Sequence, residues 1–416
     1  MKTSSGIYER FVETRKRTVE ICSTLERDDY MVQSTEETSP PKWHLGHTTW
    51  FFETFVLKQY LRGYKEFNEK FSDIFNSYYN AVGYFLPKPS RMLLSRPSLD
   101  LILQYRHYVE SKIEAMFYGK KDTITQSIQD LILLGINHEE QHQELLVMDI
   151  KENMFHSQFR PTFGYLQKQA SKAAKLEWIG FKGGIANTGA TDSGFSFDNE
   201  HPRHKTYLYP YSIASRLVTN GEFLEFIKDG GYEDPALWLS EGWSLINREK
   251  WKMPHYWEKH GDSYYCFTPE GMKKLNPEEP VCHVSYYEAD AYARWSGNRL
   301  PTEEEWENAF SNKHGMPKRK EYAWHPSVQA SKDKLHGPGE CGEWTSSAYL
   351  PYPGFKALNG ALGEYNGKFM SQQMVLRGDS AATPPGHSRI TYRNFYHPES
   401  RWQFAGIRLC RGPEHD

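Results

Sequence analysis

The sequence predicts an α+β protein in two parts, a helical first half and a second half of short strands, short helices and turns. Two observations predict it. Apolar residues recur at helical spacing through most of the first 160 residues, and after a polar stretch the texture changes to glycines, aromatics and short β-type runs. At 416 residues the chain is long enough for one to three domains, two being the natural number.

In order along the chain, Tyr8–Asp28 reads as a charged amphipathic helix. Ser39-Pro40-Pro41 breaks the chain and opens a second helix, Trp43–Tyr60, since proline is tolerated in a first helical turn. Residues 75–96 hold Pro87 and Pro89 and read largely as loop. Ser98–Tyr118 and Thr123–Asn153 complete a bundle of about four helices. Residues 1–165 are taken as the first domain, Gln167–Ala174 as a linker of small and polar residues, and 174–416 as the second domain. There, Leu176–Gly180, Thr206–Tyr209 and Met374–Gly378 read as strands. Thr219–Asp229 and Ser285–Ser296 are short helices with Ser/Thr caps, and Thr302 with Glu305 forms a capping box for a third.

A net charge of −3 gives no global pull toward nucleic acid or anionic membrane. No apolar run approaches the ~20 residues that span a bilayer, and the N-terminus runs into a charged helix and not an apolar signal core. The five cysteines, Cys22, Cys266, Cys282, Cys341 and Cys410, include no Cys-x-x-Cys pair. A disulfide framework or cysteine zinc site is therefore not expected, and a reducing, cytoplasmic setting is. Aromatic residues make up 15% of the chain, enough to line a pocket with rings or to pack an irregular core.

The most informative stretch is His138-Glu139-Glu140-Gln141-His142-Gln143-Glu144. On a helix its two imidazoles lie one turn apart on one face, spaced to converge on a metal ion. Trp43-His44-Leu45-Gly46-His47 can supply a third nitrogen. Three neutral histidines point to a divalent transition metal with open positions. An ordinary polar helix face stays open as the alternative at this point.

Further stretches bring in a resemblance. Leu217–Phe223, Pro280–Ser285, Asn298–Glu307, Gly342–Thr345 and Phe404–Leu409 resemble, in order, the formylglycine-generating-enzyme/sulfatase-modifying-factor domain. Trp-His-Leu-Gly-His followed by His-x-x-x-His-x-Glu resembles a DinB-like four-helix bundle. The two-domain order is similar to that of the sulfoxide synthases of thiol-histidine biosynthesis, the ergothioneine type and the closely related ovothiol type.

The resemblance implies iron(II) held by His47, His138 and His142. It implies an O2-dependent reaction that joins a thiol sulfur to the imidazole C2 of hercynine and oxidises the sulfur, giving hercynylcysteine sulfoxide. Three neutral ligands leave the ion cationic enough to ionise a bound thiol. Glu144, two positions after His142, points away from the ligands on an ideal helix and is expected to orient a ligand or the substrate. Gln141 resembles the family's contact to the substrate imidazole. Lys88 and Arg91 match its basic pair for the thiol's carboxylate, with lysine where arginine is expected; Arg389 and Arg393 are reserves. Asn394, Phe395 and Tyr396 resemble the segment that holds the trimethylammonium group, a cation suited to ring faces and oxygens. Tyr78 and Tyr79 resemble the tyrosines that serve proton delivery in one subgroup; another subgroup carries its tyrosine in the C-terminal domain. Free cysteine is the expected thiol, γ-glutamylcysteine the second choice. The alternatives are an ovothiol-type enzyme acting on histidine, a formylglycine-generating oxidase, and a non-enzymatic binding protein. No methyltransferase domain is expected to follow, and that expectation modestly favours the ergothioneine branch. No nucleic acid or membrane partner is expected, and the oligomeric state is left open.

Overall fold

A computed structural model describes residues 4–119, 124–167, 170–311, 323–330 and 334–412. Thr123 and the linker residues Lys168 and Gln169 lie outside the described residues. The chain divides into two compact units: residues 1–163 with Leu358–Tyr365, and residues 164–357 with 366–416.

The first unit holds α1 (Ser4–Ile21), α2 (Pro41–Phe52), α3 (Lys58–Tyr60), α4 (Phe71–Phe75), α5 (Leu99–Tyr118) and α6 (Gln126–His156). α1, α2, α5 and α6 form the bundle, with α1 and α2 each packed on both α5 and α6. α1 stops at Ile21, short of the expected Asp28, because the chain tightens into a 3₁₀ turn at Cys22–Thr24 and leaves it extended at Leu25. α2 starts on Pro41, and every residue of the helix is buried. It is buried on every side, its polar residues Lys42, His44, His47, Thr48 and Thr49 included, because it is the core element. Ser98 caps α5 and Thr125 caps α6 through their hydroxyls, each accepting the backbone N–H three residues on, from Leu101 and Ile128.

A π-helical turn, Glu53–Leu57, joins α2 to α3. Its Glu53 carboxylate accepts from the phenols of Tyr64 and Tyr105, both at 2.5 Å. A second polar knot lies inside the bundle. Glu139, fully buried on α6, pairs with Arg15 at 3.0 Å and Arg106 at 3.1 Å and accepts from the Thr18 hydroxyl at 2.6 Å. Burial alone would raise the Glu139 pKa; the two guanidiniums overcome that and hold it at about 2.

The second unit runs β1 (Trp178–Phe181), β2 (Gly184–Thr188), β3 (His204–Leu208), β4 (Tyr211–Ala214), α7 (Asn220–Lys228), α8 (Ser240–Glu249), β5 (Trp257–His260), β6 (Ser263–Thr268), β7 (Gly271–Lys274), α9 (Tyr286–Trp295), α10 (Glu303–Ser311), β8 (Gly342–Ala348), β9 (Met374–Arg377), β10 (Arg393–Tyr396), β11 (Ala405–Gly406) and β12 (Cys410–Arg411). The sheets are small: β1-β4-β12, β2-β3, β5-β6-β7 and β10-β9-β8-β11. Capping boxes open α7 and α9, at Thr219/Glu222 and Ser285/Glu288. Thr302 and Glu305 exchange the same pair of bonds at α10. With so little regular structure, buried ion pairs fix the layers: Arg408 with Glu343, Arg393 with Glu303, and Arg377 with Glu307. All five cysteines are free and buried. Among the described residues no helix is long and apolar enough to cross a membrane.

Candidate metal centre

α2 and α6 meet antiparallel along their histidine faces. His47 faces His138, Nε2 to Nε2 at 3.1 Å, and His44 faces His142, Nδ1 to Nδ1 at 3.0 Å. His47, His138 and His142 each bring one nitrogen within 4.8 Å of the others. The first two are fully buried and the third is half-buried.

The glycine between the two histidines of α2 has a steric reason. A side chain at Gly46 would overlap the ring of Phe75. The close approach brings the Phe75 carbonyl to 2.6 Å from Nδ1 of His47. A carbonyl only accepts, so Nδ1 carries the proton and Nε2 keeps its lone pair. Trp43 stacks on the His47 ring at 4.5 Å, Trp50 at 5.7 Å, and Phe51 stacks on His138 at 4.5 Å. Burial first, and neighbouring imidazoles next, push His47 and His142 well below the ordinary histidine range. Burial takes His138 down to about 3 against the pull of Glu139. All three rings are therefore neutral at neutral pH.

The donor set fits a divalent transition metal. Two nitrogens about 2.1 Å from one ion and at right angles around it lie roughly 3.0 Å apart, and the His47–His138 pair stands at 3.1 Å. The cluster is made of imidazoles alone, so a bound dication keeps its charge and its remaining positions for ligands.

The other residues singled out in the sequence fall as follows. Glu144 is half-buried and outside the cluster; the carboxylate that reaches toward it is Asp149, through His44. Gln141 accepts from the Tyr365 hydroxyl. Arg91 is buried, with its guanidinium 3.4 Å from the Trp43 ring centroid and Nη1 donating to the Ser39 hydroxyl at 2.8 Å. Its Nε is buried with no partner among the described residues. Burial, partly offset by Asp149, pulls its pKa down to about 9. Lys88 is exposed one turn away on the same 3₁₀ segment.

Tyr78 and Tyr79 stack at 4.8 Å. Tyr79 is fully buried against Trp50 and Phe55. Burial, followed by Tyr78 and Tyr365, pushes its phenol well above the ordinary range. Tyr365 was not foreseen. Its ring centroid is 5.5 Å from that of His138 and 6.4 Å from that of Tyr78. Glu364 anchors it by accepting from the backbone N–H groups of Asn80 and Ala81 at 3.0 and 2.8 Å. Leu358–Tyr365 lay inside the range read as the second domain, yet it clusters with the helical unit.

In the second unit, Asn394, Phe395 and Tyr396 are half-buried on β10. Strand alternation puts Asn394 and Tyr396 on one face and Phe395 on the other. Phe395 stacks on Tyr349 at 4.0 Å, and Tyr396 meets Trp402 edge-on at 5.6 Å. The reserve arginines are committed: Arg393 to Glu303 and Arg389 to Glu200, both at 2.8 Å. Burial pushes the Cys410 thiol up to about 12 and Cys341 well above the ordinary range, which makes both poor nucleophiles.

Residues 162–337 match the model of the sulfatase-modifying factor enzyme 1-like domain. The inactive C-alpha-formylglycine-generating enzyme 2 of Mus musculus is 30% identical over 275 residues, covering 53% of this chain and 81% of its own. The chain belongs to the sulfatase-modifying-factor, or formylglycine-generating-enzyme, family. Its relatives also include the hercynine oxygenase of Mycobacterium tuberculosis, 34% identical over 251 residues and covering 54% of this chain and 58% of that protein. That of Mycolicibacterium smegmatis is 33% identical over 243 residues, covering 52% and 56%. These relatives support the architecture read from the sequence, a helical unit joined to a formylglycine-generating-enzyme-type domain as in ergothioneine-type sulfoxide synthases. The match spans little more than half the length of the curated hercynine oxygenases.

Proposed function

We propose that this protein is an iron(II)- and O2-dependent oxidoreductase that joins cysteine to the imidazole C2 of hercynine, giving hercynylcysteine sulfoxide. The observation that carries the reading is the convergence of three neutral imidazole nitrogens within 4.8 Å inside a helical bundle. The names of the hercynine oxygenase relatives support the substrate. An iron(II) ion held by His47, His138 and His142 would ligate the thiolate and relay to O2 the four electrons that the thiol and the imidazole C–H give up, one oxygen ending in the sulfoxide and the other in water.

The remaining work falls to the chain. Arg91, with a buried and unpartnered Nε beside the cluster, offers the thiol substrate's carboxylate a directed donor, and Lys88 adds a point charge. Gln141 is the amide for the substrate imidazole, and its Oε1 is oriented by Tyr365. Asn394 and Tyr396 are proposed for the trimethylammonium end, Phe395 bracing the strand from its other face. Proton delivery is assigned to the tyrosine group. Tyr365, whose ring lies beside His138, joins Tyr78 and Tyr79 as its donor candidates. Glu144 is proposed to orient the substrate side of α6. A formylglycine-generating oxidase is disfavoured because Cys341 and Cys410 are deeply buried.

Anaerobic incubation with hercynine plus cysteine or γ-glutamylcysteine, followed by air and mass analysis, tests the reading. The expected product is the hercynyl–cysteine sulfoxide, lost in His138→Ala together with bound iron and O2 uptake. Product formation by metal-stripped protein, or none with either thiol when iron is bound, overturns it.

A further inference from the structure

His44 is not needed as a ligand, yet it is buried at the cluster and bonded at both ring nitrogens. Its Nε2 lies 2.9 Å from Oδ2 of Asp149, and its Nδ1 lies 3.0 Å from Nδ1 of His142. Asp149 is seven residues beyond His142 on α6, two turns away on the same face. The same Oδ2 accepts the backbone N–H of Ser39 at 2.8 Å. That oxygen is thus fixed as an acceptor, and Nε2 of His44 must carry a proton to meet it.

The proton positions then follow in sequence. A neutral His44 with its proton on Nε2 has a bare Nδ1. Nδ1 of His142 faces that lone pair and must be the N–H. Nε2 of His142 is left bare. With His47 fixed by the Phe75 carbonyl in the same sense, two of the three cluster rings are set by partners that leave Nε2 free. Reversing the line, with His44 donating to His142, would put the His142 proton on Nε2 and take away its ability to ligate through that atom.

We infer that Asp149 and His44 are positioning residues that hold His142 in its Nδ1–H tautomer, so that Nε2 is a ready ligand before any metal arrives. The inference rests on the metal reading above and deepens it, by assigning the residues that prepare the site. Neither residue is among the three cluster imidazoles. Outer partners of this kind typically change metal affinity about tenfold to a hundredfold when removed.

The test uses the full chain in three forms: wild type, His44→Gln and His44→Phe. Glutamine can accept from His142 through its oxygen and donate to Asp149 through its nitrogen; phenylalanine can do neither. Circular dichroism and the thermal midpoint establish that each variant is folded. Ring ¹⁵N shifts of the metal-free protein, assigned to His142 by its own substitution, report the tautomer, and Co(II) titration reports affinity. The expected result is an Nδ1–H His142 in wild type and His44→Gln, with Co(II) affinities within about threefold of each other. His44→Phe should lose that tautomer and bind Co(II) about tenfold to a hundredfold more weakly. Asp149→Leu should fall with it. A wild-type His142 protonated at Nε2, or equal Co(II) affinity in His44→Phe and wild type, overturns the inference. So does a His44→Gln that fails as badly as His44→Phe. Because the tautomer is read without metal, failure of this relay and failure of the metal site itself appear in different measurements.

Discussion

Replacing Glu139 by glutamine should cost the helical unit about 3–5 kcal/mol, the usual penalty for breaking a buried ion pair from one side. The geometry accounts for it. Glu139 is fully buried and takes Arg15 at 3.0 Å, Arg106 at 3.1 Å and Thr18 at 2.6 Å. Glutamine keeps the shape but leaves Arg106 without its carboxylate, while Arg15 retains only Glu110, at 2.9 Å. Proton linkage gives an independent figure. The carboxyl titrates at about 2 in the fold against an ordinary 4.5. At about 1.4 kcal/mol per pKa unit this is roughly 3 kcal/mol. A depressed carboxyl contributes fully above its unfolded pKa and loses that contribution as pH falls through the folded one. The stability gap between wild type and Glu139→Gln should therefore be widest above pH 4.5 or so and narrow steadily toward pH 2. Urea unfolding followed by far-ultraviolet dichroism, run at several pH values on both proteins, measures the gap. A gap below about 1 kcal/mol at pH 7, or one that does not change with pH, would refute the electrostatic account.

Gly46→Ala should destabilise by about 1–3 kcal/mol, since the new methyl meets the Phe75 ring; it should also weaken metal binding by moving the carbonyl that orients His47, and unchanged affinity would dissociate the two. Arg91→Met should raise the KM for the thiol at least tenfold, the loss of one charge-assisted hydrogen bond of about 1.5–3 kcal/mol, with little change in the KM for hercynine. Among Tyr78→Phe, Tyr79→Phe and Tyr365→Phe, the variant that diverts turnover from C–S coupling to plain thiol dioxygenation identifies the proton donor. Tyr365→Phe is expected to show the largest diversion, and an unchanged product ratio in all three would remove the tyrosines from that role.

Much of the fold was legible because local signals and tertiary structure agree. The caps at Thr219, Ser285 and Thr302 mark where helices start, and the spacing of His138 and His142 declares a shared face. The motif around Gly46 was visible, but its reason was not, because that glycine answers to Phe75, which is distant in sequence. The end of α1 was misjudged: charge and amphipathic spacing continue past Ile21, while the backbone turns at Cys22–Thr24. Arg389 and Arg393 looked available because a sequence does not show which carboxylates bury with them. The split of Asn394 and Tyr396 from Phe395 follows from period-two alternation, once the segment is known to be a strand. Asp149 drew no attention because its importance depends on His44 lying across from it on another helix. Tyr365 carried no local signal at all, sitting among the glycines of a segment far from the histidines in sequence.

The placement of that short segment bears on how the protein can be taken apart. A fragment cut at residue 163 would keep every histidine of the cluster but forfeit Tyr365 and the Glu364 clasp on Asn80 and Ala81. Chimaeras that exchange halves between relatives at the apparent linker would pair one parent's imidazoles with the other parent's phenol. Faithful exchange has to transplant residues 358–365 along with the helices, as one heritable piece encoded in two places.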